Sequence, residues 1–170
     1  MNKILLVLLA SLLCLSLTSS KTKNYKIPNN VYKYIKRYLK TAKQESKKFN
    51  IPVAIILAQG ILESRSGESL LTRKYNNHFG VKWSGKGKYA VFADERPDCR
   101  FRVYATSWES YRSHSLLLTK NRYRHLTKLP KTHYKVWARG LKKAGYATDP
   151  KYAERLIKII EQYDLAKYDR

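Results

Sequence analysis

Residues 51–67, IPVAIILAQGILESRSG, constrain the fold more than any other stretch of the chain. Apolar and small residues recur there at spacings of three and four, and further apolar residues fill the opposite side. A helix that is apolar nearly all round is buried in the middle of a domain. Pro52 suits the first turn, and Gly67 is a candidate stop signal. The segment therefore predicts a buried central helix that carries one acid, Glu63, near its C-terminal end.

The position of Glu63 leaves two interpretations open. A carboxyl group in an apolar setting is costly unless it pairs with a cation or its pKa rises. In the first interpretation, Glu63 is structural and forms a salt bridge with Arg65 or another cation. In the second, burial keeps Glu63 protonated near neutral pH, so that it serves as a general acid.

Residues 1–20 have the pattern of a secretory signal peptide: a positive Lys3, an apolar run, and small residues before a cleavage site. The run is short for a bilayer span, so we expect no stable membrane span after cleavage. Leu13 before Cys14 does not favour lipidation. The sequence thus predicts an exported protein, in the periplasm, the cell envelope or outside the cell. We expect a flexible lead-in at 21–28 and one domain at 29–170, monomeric, with Cys99 as its single thiol.

Charge restricts the partners. The chain has 35 Lys and Arg residues against 12 Asp and Glu residues, a formal net charge of +23. Such a chain favours polyanions, which include nucleic acid, anionic lipid surfaces and anionic cell-wall polymer. Export makes nucleic acid a poor partner, so we expect wall polymer. The alternative is that the charge only keeps the protein soluble.

The remaining pattern predicts an α+β fold that is mainly helical. A helix capped by Asn29 or Asn30 should precede the central one, and further helices should begin near Ser107, Thr132 and Asp149. Alternating residues at 81–83, 89–92 and 101–104 predict strands of one small antiparallel sheet or hairpin, with a turn at 84–88. The adjacent acids Asp94 and Glu95 fall between two of these strands.

Several kinds of chemistry are not supported by the residue pattern. The histidines show no metal-ligand spacing, and Cys99 has no histidine at short spacing, so we predict neither a metal nor a cofactor. Most acids, including Glu45 and Asp169, are assigned to polar faces or to the terminus. Glu63 remains, with Asp94 and Glu95 as the only adjacent pair. One acid on a helix and a second carboxylate across a cleft is the arrangement of a glycosidase. The four histidines are His78, His114, His125 and His133.

Four motifs occur in an order that resembles a known family: ILAQGILESRSG, NNHFGVKW, FRVYATSWESYRSHSLLL and WARGLKKAGYATDPKYAERLIKIIEQYDL. They are similar to the peptidoglycan endo-β-N-acetylglucosaminidases of glycoside hydrolase family seventy-three, which include autolysins and the wall-cutting domain of the flagellar rod protein. The resemblance covers nearly all of the predicted domain. It implies a lysozyme-like fold and cleavage of the β-1,4 bond after N-acetylglucosamine in peptidoglycan glycan strands.

The resemblance also implies roles for particular residues. Glu63 takes the position of the general acid, and Tyr146 that of a tyrosine supporting the transition state. The second carboxylate belongs on the hairpin, but the family's Thr-x-Glu-Tyr pattern is replaced here by FADERPDCRFRVY. Glu95 is preferred over Asp94 for its longer reach, and the substrate's own 2-acetamido group could replace either.

Substrate contacts are predicted as well. The family motif beside the cleft matches Asn76, Phe79 and Gly80, while aromatic side chains suited to sugar stacking are Trp83, Tyr89 and Trp108. Two alternatives to the glucosaminidase stay open. One is a lytic transglycosylase or muramidase on the same fold, and the other is a non-catalytic cationic module that binds cell wall.

Overall fold

The computed structural model describes residues 26–93, 97–120 and 122–170. The predicted signal peptide, most of the lead-in and the acids Asp94 and Glu95 lie outside these ranges. No helix of the described residues is long and apolar enough to cross a membrane. The elements, in chain order, are α1 (Asn29–Phe49), α2 (Val53–Ser64), α3 (Leu70–Tyr75), β1 (Tyr89–Phe92), β2 (Cys99–Arg102), α4 (Ser107–Leu118), a 3-10 helix (Arg124–Lys128), α5 (Tyr134–Lys143), α6 (Tyr152–Gln162) and a second 3-10 helix (Leu165–Asp169).

Helix α2 lies at the centre, as its apolar surface predicts. Every residue from Val53 to Ile61 is buried, and α2 contacts α1, α5, α6 and the second 3-10 helix. The close approach of α1 depends on Gly60: a Cβ atom there would lie 2.5 Å from the hydroxyl oxygen of Tyr34. The mainly helical fold with a small antiparallel sheet is confirmed.

The two ends of α2 differ from expectation. The helix stops at Ser64, before Gly67, because Arg65 takes a left-handed conformation with φ 52° and donates its backbone N–H to the carbonyl of Ile61. At the other end, the backbone N–H groups of Val53 and Ala54 donate to the carboxylate of Asp169, at 2.6 and 2.9 Å. Asp169 is therefore a cap of the central helix, a role that its predicted place at the terminus did not include.

The sheet has two strands, β1 and β2, which pair antiparallel with Tyr89 opposite Arg102 and Phe92 opposite Cys99. The predicted strand at 81–83 contributes one isolated bridge, from Lys82 to Phe101. Because this bridge lies on the other edge of β2, residues 81–83 do not form a hairpin with β1 around the turn at 84–88. The segment that holds Asp94 and Glu95 connects β1 to β2.

Helix α4 begins at Ser107, as predicted, and Thr106 is its N-cap. The Thr106 hydroxyl accepts the backbone N–H of Glu109 at 3.3 Å, while the Glu109 carboxylate accepts the backbone N–H of Ala105 at 3.0 Å. This pair is a variant of the capping box, in which the Glu109 carboxylate accepts from Ala105, the residue before the N-cap Thr106, and one donor of the first turn is satisfied.

Glu45 on α1 is not on a polar face, contrary to the sequence assignment. Its side chain is 0% exposed, and Arg112 of α4 donates to it from Nε at 3.0 and 3.1 Å and from Nη2 at 2.8 Å. The arginine covers the carboxylate, so an acid among lysines on a basic helix points inward. This ion pair joins α1 to α4.

Candidate active site

Glu63 lies in the last turn of α2 and is half-buried. The hydroxyl of Tyr152, on α6, donates a hydrogen bond to its Oε1 atom at 2.9 Å. Helix α2 can present an acid here because its final turn leaves the apolar core while the preceding turns remain buried. The structure thus places Glu63 at the junction of α2 and α6, next to a phenol.

Behind this contact, a series of buried polar side chains leads away from Glu63. Gln59, one helical turn before Glu63, donates from Nε2 to the Tyr152 hydroxyl at 2.9 Å. The other amide atom of Gln59, Oε1, lies 3.0 Å from Nε2 of His114 on α4. Gln59 and His114 are both 0% exposed and Tyr152 is 3% exposed. Three helices therefore meet through one hydrogen-bonded series that ends at the acid.

Tyr146 lies on the same side of the acid. Its ring stacks on that of Tyr152, with centroids 5.5 Å apart and planes 19° apart. Burial, followed by the Glu63 carboxylate, raises the pKa of the Tyr146 phenol well above its usual value. Within the described part of the chain, the buried Tyr146 hydroxyl has no hydrogen-bond partner. Tyr146 therefore presents a neutral phenol, with an unused donor, close to Glu63.

The end of helix α5 fixes the position of Tyr146. Gly145 follows the helix with a left-handed φ of 73°, and its N–H donates to the carbonyl of Lys142 at 3.0 Å. The N–H of Tyr146 donates to the carbonyl of Leu141, also at 3.0 Å. This is a Schellman motif, which ends a helix and redirects the chain in a defined way.

Asn76 and Phe79, predicted to lie beside the cleft, both make contacts within the fold. The Asn76 amide donates to the backbone carbonyls of Tyr104 and Ala105 at 3.2 and 3.0 Å. Phe79 is 3% exposed and stacks on the His114 ring, with centroids 3.9 Å apart. Gly80 has a left-handed φ of 60°, and a Cβ there would meet no atom within 4 Å, so backbone conformation is what favours glycine.

The two tryptophans proposed for sugar stacking occupy different places. The Trp83 indole N–H donates to the carbonyl of Gly87 at 2.9 Å, and its ring lies 4.8 Å from that of Tyr89 beside the sheet. Trp108 is 47% exposed on α4, with the Arg112 guanidinium 4.7 Å from its ring centroid. Trp108 thus belongs to the cluster around Glu45, whereas Trp83 lies on the sheet.

Sequence reasoning missed three residues of the site. Tyr152 was assigned to the core, His114 to a surface or core position, and Gln59 was not singled out. One signal was available: Gln59 is the one amide in an otherwise apolar helix and lies four residues before Glu63, on the same face. No group of three or more His, Cys, Asp or Glu side chains among the described residues is arranged to hold a metal ion.

Comparisons with known proteins identify the family of the chain. The profile of the glucosaminidase family, described as mannosyl-glycoprotein endo-beta-N-acetylglucosaminidase, matches residues 39–165. The chain is 36% identical to the exo-glucosaminidase LytG of Bacillus subtilis over 135 residues, which are 72% of this chain and 48% of LytG. It is 32% identical to the peptidoglycan hydrolase FlgJ of Escherichia coli K12 over 151 residues, 80% of this chain and 48% of FlgJ. The chain thus spans about half the length of these relatives.

A solved structure shares the fold. The catalytic domain of the autolysin Auto from Listeria monocytogenes superposes with a TM-score of 0.68 and 27% sequence identity, covering 85% of this chain and 90% of that domain. The family profile includes the central helix and the elements around Glu63, because it begins within α1 and ends at Leu165. The chain therefore belongs to the glucosaminidase family of glycoside hydrolases.

Proposed function

We propose that the protein is an exported peptidoglycan hydrolase that cleaves the β-1,4 bond after N-acetylglucosamine within glycan strands. The observation that carries this proposal is the Glu63 carboxyl at the end of α2, held by the Tyr152 phenol beside Tyr146. Membership of the glucosaminidase family and the printed activities of LytG and FlgJ support the substrate class.

In the proposed mechanism, Glu63 protonates the glycosidic oxygen as the bond to the anomeric carbon breaks. General acid catalysis of this kind requires a protonated carboxyl within hydrogen-bond reach of the leaving oxygen. Tyr146, whose ring stacks on that of Tyr152, would orient the substrate or stabilise the same centre in the transition state. Asp94 or Glu95 would activate water or stabilise that charge, unless the substrate's acetamido group attacks the anomeric carbon itself.

The test is to digest purified peptidoglycan and identify the new chain ends by mass spectrometry. Reducing N-acetylglucosamine ends are the expected product. Reducing N-acetylmuramic acid ends would indicate a muramidase, and anhydro-muramyl ends would indicate a lytic transglycosylase. Digestion by Glu63→Gln is the matched control, because the amide keeps the size of the side chain but has no proton to transfer. Wall binding without new ends in the wild type would leave a non-catalytic module.

The role of the hairpin acids is tested with Asp94→Asn and Glu95→Gln. If one carboxylate is essential, the two variants should differ sharply in rate, and we expect Glu95→Gln to be the slower. If both variants keep the wild-type rate, the substrate-assisted route is favoured. A thiazoline-type inhibitor, which resembles the intermediate of that route, should then bind tightly, and its failure to bind would reject the route.

We further propose that anionic wall polymer is held by the outer surface of α1. Glu45, the one acid of α1, is buried, and the outward face carries cations at intervals of about one helical turn, or ~5 Å. A shallow groove along this face is lined by Lys36, Lys40, Lys43 and Lys47, with Leu39 and Gln44. At the N-terminal part of this face, a pocket is lined by Lys33, Arg37 and residues 66–68, which follow the helix that carries Glu63. A polymer on α1 would therefore lie near the acid. The exposed cations of α1 are Lys33, Lys36, Arg37, Lys40, Lys43, Lys47 and Lys48.

Charge reversal tests this surface. The triple variant Lys36→Glu, Lys40→Glu, Lys43→Glu should lose binding to intact wall. The same change at Lys86, Lys128 and Lys158, which are exposed elsewhere, is the control of equal net charge. Wild-type binding should also weaken steeply between low salt and about half molar, because exposed charges are screened beyond ~8 Å at physiological ionic strength. Equal loss in both triple variants would assign wall binding to the net charge in place of the α1 surface, and binding that ignores salt would reduce the charge to a solubility role.

We also propose that the protein is exported and monomeric. N-terminal sequencing of protein recovered outside the cytoplasm should show removal of residues 1–20. Sedimentation should give the mass of a monomer. Retention of Met1 in the exported fraction, or a concentration-dependent larger species, would contradict these expectations.

A further inference from the structure

We infer that His114 and Gln59 are positioning residues that direct the single proton of the Tyr152 hydroxyl onto Oε1 of Glu63 and thereby orient the acid. The inference rests on the proposed function, since it concerns how the acid of that mechanism is prepared. It begins from the buried series His114, Gln59, Tyr152 and Glu63, in which each hydrogen bond is 2.9 or 3.0 Å long.

The direction of donation along the series depends on His114. One ring nitrogen, Nε2, faces Gln59, while Nδ1 is buried and has no hydrogen-bond partner among the described residues. Burial also lowers the pKa of His114 to about 3, so the ring is neutral near neutral pH and holds one proton. A buried N–H without a partner is rarer than a buried acceptor without one. The proton therefore belongs on Nε2, which donates to Oε1 of Gln59.

The position of the His114 proton determines the direction of the other hydrogen bonds in the series. Once Oε1 of Gln59 accepts from His114, the amide nitrogen must face Tyr152 and donate to its hydroxyl oxygen. Burial raises the pKa of Tyr152 far above its usual value, so the phenol keeps its proton. With its oxygen already accepting from Gln59, the hydroxyl has one proton to donate, and Glu63 lies 2.9 Å away.

The consequence for Glu63 is a carboxyl group held at one oxygen. Oε1 accepts the Tyr152 proton over 2.9 Å. With the opposite tautomer of His114, Gln59 would be reversed and Tyr152 would donate to Gln59 instead. Glu63 would then lose the hydrogen bond from Tyr152. The positions of His114 and Gln59 thus determine whether Tyr152 orients the acid.

The test is a double-mutant cycle with kcat and KM measured on solubilised glycan strands. Tyr152→Phe should lower kcat by about ten- to hundredfold, the range for a hydrogen bond to a chargeable group, with little change in KM. His114→Leu removes the Nε2 donor and should lower kcat about tenfold. His114→Gln restores a donor near the same place and should recover most of the rate. In the Tyr152→Phe background, His114→Leu should cost nothing further.

Tyr134→Phe is the matched control. Its hydroxyl donates to the Glu161 carboxylate at 3.2 Å on the surface, so the substitution removes a bond of the same kind away from the acid. It should keep the wild-type rate. Melting temperatures of all variants separate loss of rate from loss of fold. Independent losses from His114→Leu and Tyr152→Phe that multiply in the double variant would overturn the inference, as would failure of His114→Gln to recover rate at an unchanged melting temperature.

A second measurement does not depend on any variant. Nitrogen-15 NMR of the wild-type protein distinguishes a protonated from an unprotonated ring nitrogen. We expect His114 protonated at Nε2 only, and protonation at Nδ1 would overturn the inference even if the His114 variants did not fold. Failure of the proposed function has a different signature: the wild type would release no N-acetylglucosamine ends. A wild type that cuts, an inactive Glu63→Gln and a fully active Tyr152→Phe would reject this inference alone.

Discussion

Glu45 and Glu63 lie on adjacent helices, and their surroundings differ in kind. Glu45 is fully buried and accepts three hydrogen bonds from the Arg112 guanidinium. Glu63 is only half-buried and accepts from the phenol of Tyr152. A guanidinium always carries charge and requires an ionised partner. A phenol holds a carboxyl group in place whether or not it is ionised.

The contrast shows that burial alone does not identify a catalytic acid. By burial, Glu45 would be the stronger candidate, yet its partner is a cation that binds its carboxylate through three hydrogen bonds and gives it a structural role. Glu63 has less protein around it, and the hydroxyl that donates to it belongs to a neutral side chain. The chemistry of the partner, more than the depth of the carboxyl group, separates the two acids.

The largest expected effect comes from Glu63→Gln. Loss of a general acid lowers the rate by ~10²–10⁴-fold, and we expect a decrease of that size with an unchanged melting temperature. Peptidoglycan digestion measured by released reducing ends gives the rate. If Glu63→Gln kept wild-type activity, the distinction between the two acids would be lost.

The structural acid is tested through its partner. Arg112→Leu leaves the Glu45 charge buried without a cation, which typically costs ~3–5 kcal/mol of unfolding free energy; we expect the lower part of that range, because the Arg112 side chain is 24% exposed. Chemical denaturation measures the change. The double variant Glu45→Leu, Arg112→Leu should regain most of the stability.

A surface pair provides the control for Arg112. Lys135 and Glu161 form a salt bridge of 2.7 Å in which both side chains are about half exposed. Lys135→Leu should change the unfolding free energy much less than Arg112→Leu does, since exposed pairs contribute little. A similar cost for Lys135→Leu and Arg112→Leu would show that burial of Glu45 is not the cause.

Acid should weaken the fold through two histidines. Burial lowers the pKa of His78 to about 4, with a further contribution from Arg37, and burial lowers the pKa of His114 to about 3. Below the ordinary value near 6.5, the unfolded chain binds more protons than the folded one, so stability falls with pH. Each histidine contributes a slope of up to ~1.4 kcal/mol per pH unit, from 6.5 down to its folded pKa.

The acid response is measured by denaturation at several pH values between about 7 and about 4. His114→Gln, near Glu63, and His78→Gln, beside α1, should each reduce part of the dependence of the unfolding free energy on pH. If neither substitution changes it, carboxylates and not histidines control the acid response. In that case the ion pair of Glu45 becomes the first candidate.

The smallest effect is expected for a third carboxylate, Asp169. It caps the N-terminus of α2, at the opposite end from Glu63. Asp169→Ala should cost about 1 kcal/mol, as for other lost helix caps, with a normal rate for the folded enzyme. Urea denaturation and the digestion assay together measure this. A large loss of rate at full stability would mean that the cap also positions the acid.

Sequence patterns identified the elements whose evidence is local. The apolar surface of α2, the stripe of α1 and the β1 and β2 strands follow from periodicity within each segment. The partners of the carboxylates could not be predicted in this way. Arg112 lies 67 residues from Glu45, and Tyr152 lies 89 residues from Glu63. Periodicity shows which face of a helix is buried but not which distant side chain meets it, so Glu45 among its lysines looked exposed.

The Asp169 cap has a kinetic consequence. It joins residues 116 positions apart and closes a loop through almost the whole described domain. Loop-closure entropy rises only with the logarithm of loop length, about 0.6 kcal/mol per doubling, so the contact adds little thermodynamic penalty. Folding speed is more sensitive, because contacts between distant residues slow the search for the native topology. The helix that carries the acid is therefore expected to be among the last parts of the domain to become fully ordered.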